Sequence, residues 1–203
     1  MTLFAFDQIT LPEGFREGVV LLAYLLALMW ALAITDFVTG RRLLPKLAIE
    51  PRSLAGLPGI AVAPLLHGGF GHLAANSGPL VILGTVILLQ GLEVLGLVTV
   101  FCWLFSGLGI WLLGRPGTRH LGASGVVFGY LGFILLRGYF ERSPGAIATA
   151  MVVGLVYGSA LWGLLPLQRG KSWVGHGMGF AGGAIVARKL PIMLEWVRYN
   201  SGF

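Results

Sequence analysis

The stretch from His67 to Leu80 reads "HGGFGHLAANSGPL" and opens a long apolar run. Within ten residues it places two histidines, His67 and His72, and the amide Asn76. Polar and ionisable side chains in hydrocarbon are costly unless they meet partners or water. A membrane helix that begins in this way marks a place where polar groups gather, and the rest of the chain has to supply the partners.

Of 203 residues, 56% are apolar and only 11% charged, which places the chain among integral membrane proteins and leaves no room for a separate soluble domain. A spanning helix takes about 20 mainly apolar residues. Six runs qualify, at 19–39, 71–90, 93–113, 121–137, 145–165 and 172–190. The expected fold is all-α and polytopic: a six-helix membrane domain over 19–190, a short N-terminal segment over 1–18 and a short C-terminal tail over 191–203. The residues before the first run, "DQITLPEGFREG", carry acids and no basic n-region, so that run is expected to stay as a span. The single Cys102 has no intrachain disulfide partner.

A formal charge of +6 invites a nucleic-acid reading, but the basic residues stand at span ends, as in Arg41-Arg42 and Arg188-Lys189. That is membrane flanking, and the expected partner is the bilayer, with no nucleic acid. With the N-terminus in the cytoplasm, six basic residues fall inside and eight outside, so the positive-inside rule weakly opposes that orientation.

The intramembrane polar residues are few. His72 and Asn76 open the second span, Ser124 the fourth and His176 the sixth, with 52 residues between His72 and Ser124 and 52 between Ser124 and His176. Alternate helices run the same way, so these groups share one side of the membrane. At about 1.5 Å of rise per residue they lie roughly 5–8 Å below the surface. His67 precedes its helix in a glycine-rich turn at the interface. His120, beside Arg119 in a loop, is expected to be solvated, and Asp36 to pack locally or lie at the interface with no role assigned. Gly175, Gly179 and Gly183 put three side-chain-free positions on one helix face, where two helix backbones can approach closely.

Three motifs in order resemble the rhomboid family of intramembrane serine proteases. "HGGFGHLAAN" is similar to the family's H-x4-H-x3-N at the second helix, "GASG" at Gly122–Gly125 to its G-x-S-G at the fourth, and "GHGMGFAGG" to the histidine and small-residue pattern of the sixth. The preceding "PRSLAGLPGIAVAPLLH" also resembles the connection found in short bacterial members. The resemblance implies that Ser124 is the nucleophile and His176 its base, with His72, Asn76, Gly122 and the Ser124 N–H around the oxyanion, and with His67, Phe128, Gly175 and Gly179 in support. It further implies transmembrane protein substrates, no cofactor and a multi-pass place in a bacterial plasma membrane. Phe128 stands where the family often has tyrosine, and the 41–64 connection lacks a Trp-Arg pair found in some members.

The chemistry agrees with these assignments. A serine hydroxyl is a poor nucleophile until a base accepts its proton, and neutral imidazole suits that task near pH 7. A tetrahedral intermediate needs donors aimed at its oxyanion, and His72 and Asn76, four apart, share a helix face. None of the eight acidic residues opens an even-numbered span, so a Ser-His dyad is expected in place of a triad. An H-E-x-x-H motif is absent, and only Asp36 approaches an intramembrane aspartate, which disfavours metallo- and aspartyl proteases. Haem ligation by His72 and His176 would leave Ser124 and Asn76 without a role, and a transporter would place its polar groups nearer the midplane. An inactive relative that binds membrane clients would have lost the serine or the histidine; both are present. Hydrolysis needs water, so the polar helix starts are expected to line a cavity open to one aqueous face.

Overall fold

The computed structural model describes residues 11–40, 44–167 and 172–201, all helix and connection with no strand among them. Arg41 and Arg42, one of the flanking pairs, lie outside the described residues. The six expected spans correspond to six long helical segments. These are α1 (Phe15–Val38), α3 (Phe70–Leu88), α4 (Leu92–Leu113), α5 (Ser124–Glu141), α6 (Pro144–Tyr157) continued by a 3-10 segment (Gly158–Leu164), and α7 (Trp173–Ser201). A further short helix, α2 (Leu57–Val62), lies in the first connection. Four of the long segments are apolar and long enough to cross a bilayer by composition alone: α1, α3, α4 and α6 with its 3-10 extension.

α5 is the inner helix, with Tyr130 and Phe133 completely buried. It packs against α7 through glycines: a β-carbon at Gly179 would fall on the Gly125 carbonyl, one at Gly183 on the Gly129 carbonyl, and one at Gly132 on the Phe180 carbonyl. Lipid offers no hydrophobic drive between helices, so close backbone approach and the dispersion it permits have to hold such a pair together. Polar groups within the bundle are bonded across helices. Thr99 Oγ1 pairs with Tyr130 OH at 2.7 Å, and Trp30 Nε1 donates to Ser77 Oγ at 3.2 Å.

The first connection is folded onto α4. Trp103 Nε1 donates to the Ile60 carbonyl at 3.0 Å, Trp111 Nε1 to the Ser53 carbonyl at 2.9 Å, and the Arg52 guanidinium to the Gly114 carbonyl at 3.1 Å. From this platform Ile49 exchanges two backbone hydrogen bonds with His120, each 3.0 Å, which holds the α4–α5 connection just ahead of Ser124.

α7 continues as helix to Ser201, past the end at 190 set by the apolar run. Arg188 and Lys189 end the apolar run, and hydropathy cannot follow a helix into water. Pro191 lies inside this extension, where its ring sacrifices one intrahelical bond without ending the helix.

Gly179 and Gly177 form a controlled pair. Gly179→Ala is expected to cost about 1–3 kcal/mol or more, because its methyl meets backbone that cannot yield. Gly177, with open space around its would-be β-carbon, should accept alanine with a change of about 1 kcal/mol at most, on the stabilising side. Thermal unfolding in detergent followed by circular dichroism measures both; equal effects would show that the interface tolerates separation.

Candidate active site

Ser124 is the first residue of α5 and His176 lies in the first turn of α7, whose start is capped by Ser172 Oγ accepting from Gly175 N–H at 3.3 Å. The two meet with His176 Nε2 3.0 Å from Ser124 Oγ. On the other side of the ring, His176 Nδ1 is 2.9 Å from the carbonyl oxygen of Gly163. A carbonyl only accepts, so Nδ1 carries the proton, and in the neutral ring Nε2 is left as an acceptor facing the serine hydroxyl. The tautomer a general base needs is therefore fixed by a backbone group. Phe128, one turn into α5, lies flat against the imidazole with ring centroids 4.1 Å apart and planes 7° from parallel.

Among the described residues no acidic side chain orients His176; a backbone carbonyl takes that place. Gly163 belongs to the 3-10 segment that continues α6. Seven residues is long for 3-10 helix, whose runs seldom exceed three or four. The absence of a side chain at Gly163 leaves room for the ring pair: a β-carbon there would lie 2.8 Å from Phe128 Cζ and 3.3 Å from His176 Nδ1.

Around the serine, several backbone donors are already committed. Gly122 N–H donates to the Ala63 carbonyl at 2.9 Å, so it offers no donor to a substrate. Its contribution is space and conformation: φ is +112°, and a β-carbon would lie 2.7 Å from His72 Cε1. Ala123 N–H donates to His67 Nε2 at 3.3 Å. Ser124 N–H lies in the first turn of α5, ahead of the intrahelical ladder and at the positive end of the helix dipole.

His67 is 2% exposed, and its Nε2 sits 3.0 Å from Asn76 Nδ2. Because Ala123 N–H can only donate, this nitrogen is an acceptor, and it ties α3 to the cap of α5 with one lone pair. Asn76 is buried, while His72, one turn earlier, is exposed on the cavity and meets His67 edge to face at 5.1 Å. His67 Nδ1 is buried near Leu65 without reaching hydrogen-bond geometry. Burial first, and the neighbouring His72 second, push the His67 imidazole down to about 4.

Ser124, His176, His72, Asn76 and Phe128 all line one cavity of about 530 Å³. α3 forms one wall with Ala75, Pro79 and Leu83, and the end of α6 with its 3-10 extension forms the facing wall with Tyr157, Ala160 and Gly163. Pro79 has no N–H, so the Ala75 carbonyl is released from the helical ladder on that wall. Gly179 packs against the Gly125 carbonyl, and Gly175, next to His176 in the chain, lies against Ile110, with a would-be β-carbon 2.7 Å from Ile110 Cδ1.

One expectation changes. His120 is half-buried rather than solvated: its backbone pairs with Ile49, its Nε2 bonds Thr118 Oγ1 at 2.8 Å, and burial lowers its pKa. Asp36 is buried at the end of α1, beside a small cavity that His67 and Phe70 also line. Among the described residues no cluster of three metal-ligating side chains occurs.

The Rhomboid domain model matches residues 57–191. An uncharacterised protein of Mycobacterium tuberculosis is 39% identical over 184 residues, covering 87% of this chain and 76% of its own length, and one of Mycobacterium bovis matches to the same extent. An uncharacterised protein of Mycobacterium leprae is 38% identical over 178 residues, covering 84% of this chain and 70% of its own.

A neutral His67 links folding to pH. The unfolded imidazole titrates near 6.5 and the folded one at about 4, so between those values the unfolded chain binds the extra proton. The His67 contribution to stability is complete above about pH 6.5 and declines as pH falls towards 4. His67→Gln keeps an acceptor and removes the titration. Its stability should therefore fall less steeply than wild type over that window, measured by thermal unfolding at a series of pH values.

Proposed function

The chain belongs to the rhomboid family of polytopic helical membrane proteins, and from that premise we propose that it is an active intramembrane serine endopeptidase that cuts peptide bonds in or near transmembrane segments by a Ser124-His176 dyad. The observation that carries this reading is the 3.0 Å contact between His176 Nε2 and Ser124 Oγ, with the base tautomer held by Gly163.

In the proposed reaction Ser124 Oγ attacks the scissile carbonyl carbon while its proton passes to His176 Nε2. The imidazolium so formed is stabilised by the Gly163 carbonyl at Nδ1–H and by the face of Phe128. The carbonyl oxygen becomes an oxyanion, met by the Ser124 N–H and by the side chains of Asn76 and His72. His67 holds one Asn76 amide hydrogen, which leaves the other for this task. His176 then gives its proton to the departing amine as the C–N bond breaks. Water entering the cavity attacks the acyl-enzyme with the same base, releasing the second product and restoring the serine. Substrate would enter between α3 and α6 and unwind there, since an intact helix hides its carbonyls.

Fluorophosphonate labelling of the purified protein tests the nucleophile. Wild type should be labelled and Ser124→Ala should not; cleavage of a model transmembrane substrate should fall more than about 10³-fold in Ser124→Ala and in His176→Ala. Labelling that persists in Ser124→Ala would sink the assignment, and absence of labelling in folded wild type would favour a client-binding relative.

Phe128 supplies a graded test of the ring contact. Phe128→Tyr should stay active, Phe128→Ala should lose at least the roughly two- to tenfold that an aromatic contact of about 0.5–1.5 kcal/mol carries, and Phe128→Leu should fall between. Initial cleavage rates in liposomes, normalised to folded protein, decide it. Equal rates for Phe128→Ala and wild type would remove the ring from the site.

A further inference from the structure

Among the described residues, the cavity around the dyad is lined by apolar and neutral polar side chains with one formally charged exception, Arg119. It sits in the α4–α5 connection, exposed at the aqueous end, while Val127 and Leu131 line the cavity one and two turns deeper in α5. Its backbone is held on one side by the paired bonds between His120 and Ile49, and the neighbouring side chains are locked by the Thr118 to His120 contact.

Four other arginines have occupied guanidinium groups, while those of Arg16, Arg115 and Arg188, like that of Arg119, bond to no described residue, and these three line no part of the cavity. Arg52 bonds the Gly114 carbonyl, Arg137 pairs with Glu141, Arg198 with Glu93, and Arg142 bonds the Tyr139 carbonyl. Arg119 makes no hydrogen bond and no ion pair among the described residues, although a planar fork of five donors is suited to grip a carboxylate. Burial lowers the pKa of neighbouring His120, so among the described residues lining the mouth Arg119 is the formal cation. On the same face the described connections carry Lys46, Arg52, Arg115 and Arg119 against Glu50, and Asp36 lies in the last turn of α1.

Resting on the protease reading above, we infer that Arg119 is a specificity-determining residue that receives a substrate carboxylate. The substrate class is then a transmembrane segment with Asp or Glu within a few residues of the scissile bond on its aqueous side. Pairing is strongest where water is partly excluded, and a free guanidinium at the rim of an apolar cavity meets that condition better than one on an open surface. Such a contact orients the unwound end of the substrate over Ser124 before the chemistry begins.

The test uses the full chain in phosphatidylcholine liposomes with a model transmembrane substrate whose scissile bond is fixed. Asp, Asn or Lys is placed in turn at each of the first few aqueous-side positions, and initial rates are normalised to fluorophosphonate-reactive enzyme. At one position or more, wild type should show kcat/KM about three- to tenfold higher for Asp than for Asn, with Lys below both, and the preference should shrink in high salt. Arg119→Ala should flatten the series, and Arg119→Glu should invert it so that Lys exceeds Asp. A wild-type rate blind to substrate charge at every position, or an Asp preference that survives in Arg119→Glu, overturns the inference. So does a rate that follows added phosphatidylglycerol through Arg119 and ignores substrate charge, because the arginine would then be reading a lipid headgroup. No phosphonate labelling and no cleavage of any substrate is the separate failure of the protease reading, and this inference falls with it.

Discussion

The contact between the Gly125 carbonyl and Gly179 governs the rest of the molecule. Helices packed through ordinary side chains lie about 8–10 Å apart. Here glycine faces glycine, and the Gly125 carbonyl enters the space a β-carbon on Gly179 would fill. Ser124 lies one residue before Gly125, and His176 lies three before Gly179. The separation of the two helix axes at that level therefore sets the separation of Oγ and Nε2. A dyad at 3.0 Å is a property of the interface as much as of the two residues. Phe128 then lies over the imidazole because it is one turn beyond the serine on the same face.

A backbone carbonyl as orienter suits a base placed within a membrane protein. A carboxylate in that position would have to be desolvated, at a cost of several kcal/mol that its attraction to an imidazolium offsets only in good geometry. The Gly163 carbonyl is a fixed dipole. It selects the tautomer of the resting base and still favours the protonated ring when that forms. The same economy holds around Asn76, where His67 serves as a neutral acceptor for Asn76 and Ala123. Burial that disfavours protonation of His67 keeps that acceptor available. The first connection acts one step further out, bracing through Ile49 the loop that leads into Ser124.

What the sequence made legible follows from period and parity. Apolar runs of spanning length imply six crossings, and alternation of direction puts His72, Asn76, Ser124 and His176 on one side. Glycines at four-residue spacing announced the close α5–α7 interface. Side-chain patterns could not announce the Gly163 carbonyl, because every residue carries one and only the 3-10 turn aims this one. His120 was misread for a related reason: its loop is polar in sequence, but a distant segment, Ile49, covers it by pairing with its backbone. The end of α7 was set too early because a charged pair closes an apolar run without closing a helix. His67 looked interfacial since the turn that buries it is built by Ala63 and Ala123 together, which lie far apart in the chain.

α6 carries a tension that the rest of the bundle resolves. Val153 is its one buried residue, and α6 packs mainly on α5, so little apolar contact ties it to the core. Yet the 3-10 extension of this lightly held helix supplies the carbonyl that fixes the base. Any displacement of that end away from α7 lengthens the Gly163–His176 bond before it disturbs the serine, which is anchored through the glycine interface and the Ala123–His67 bond. Ser124 and His176 thus have unequal support: the serine stands on the most closely packed pair of helices, and the orientation of the histidine depends on the least buried one. Of the two walls of the cavity, the α3 side is joined to the core by Asn76 and His67, and the α6 side is the one whose position is coupled directly to the state of the base.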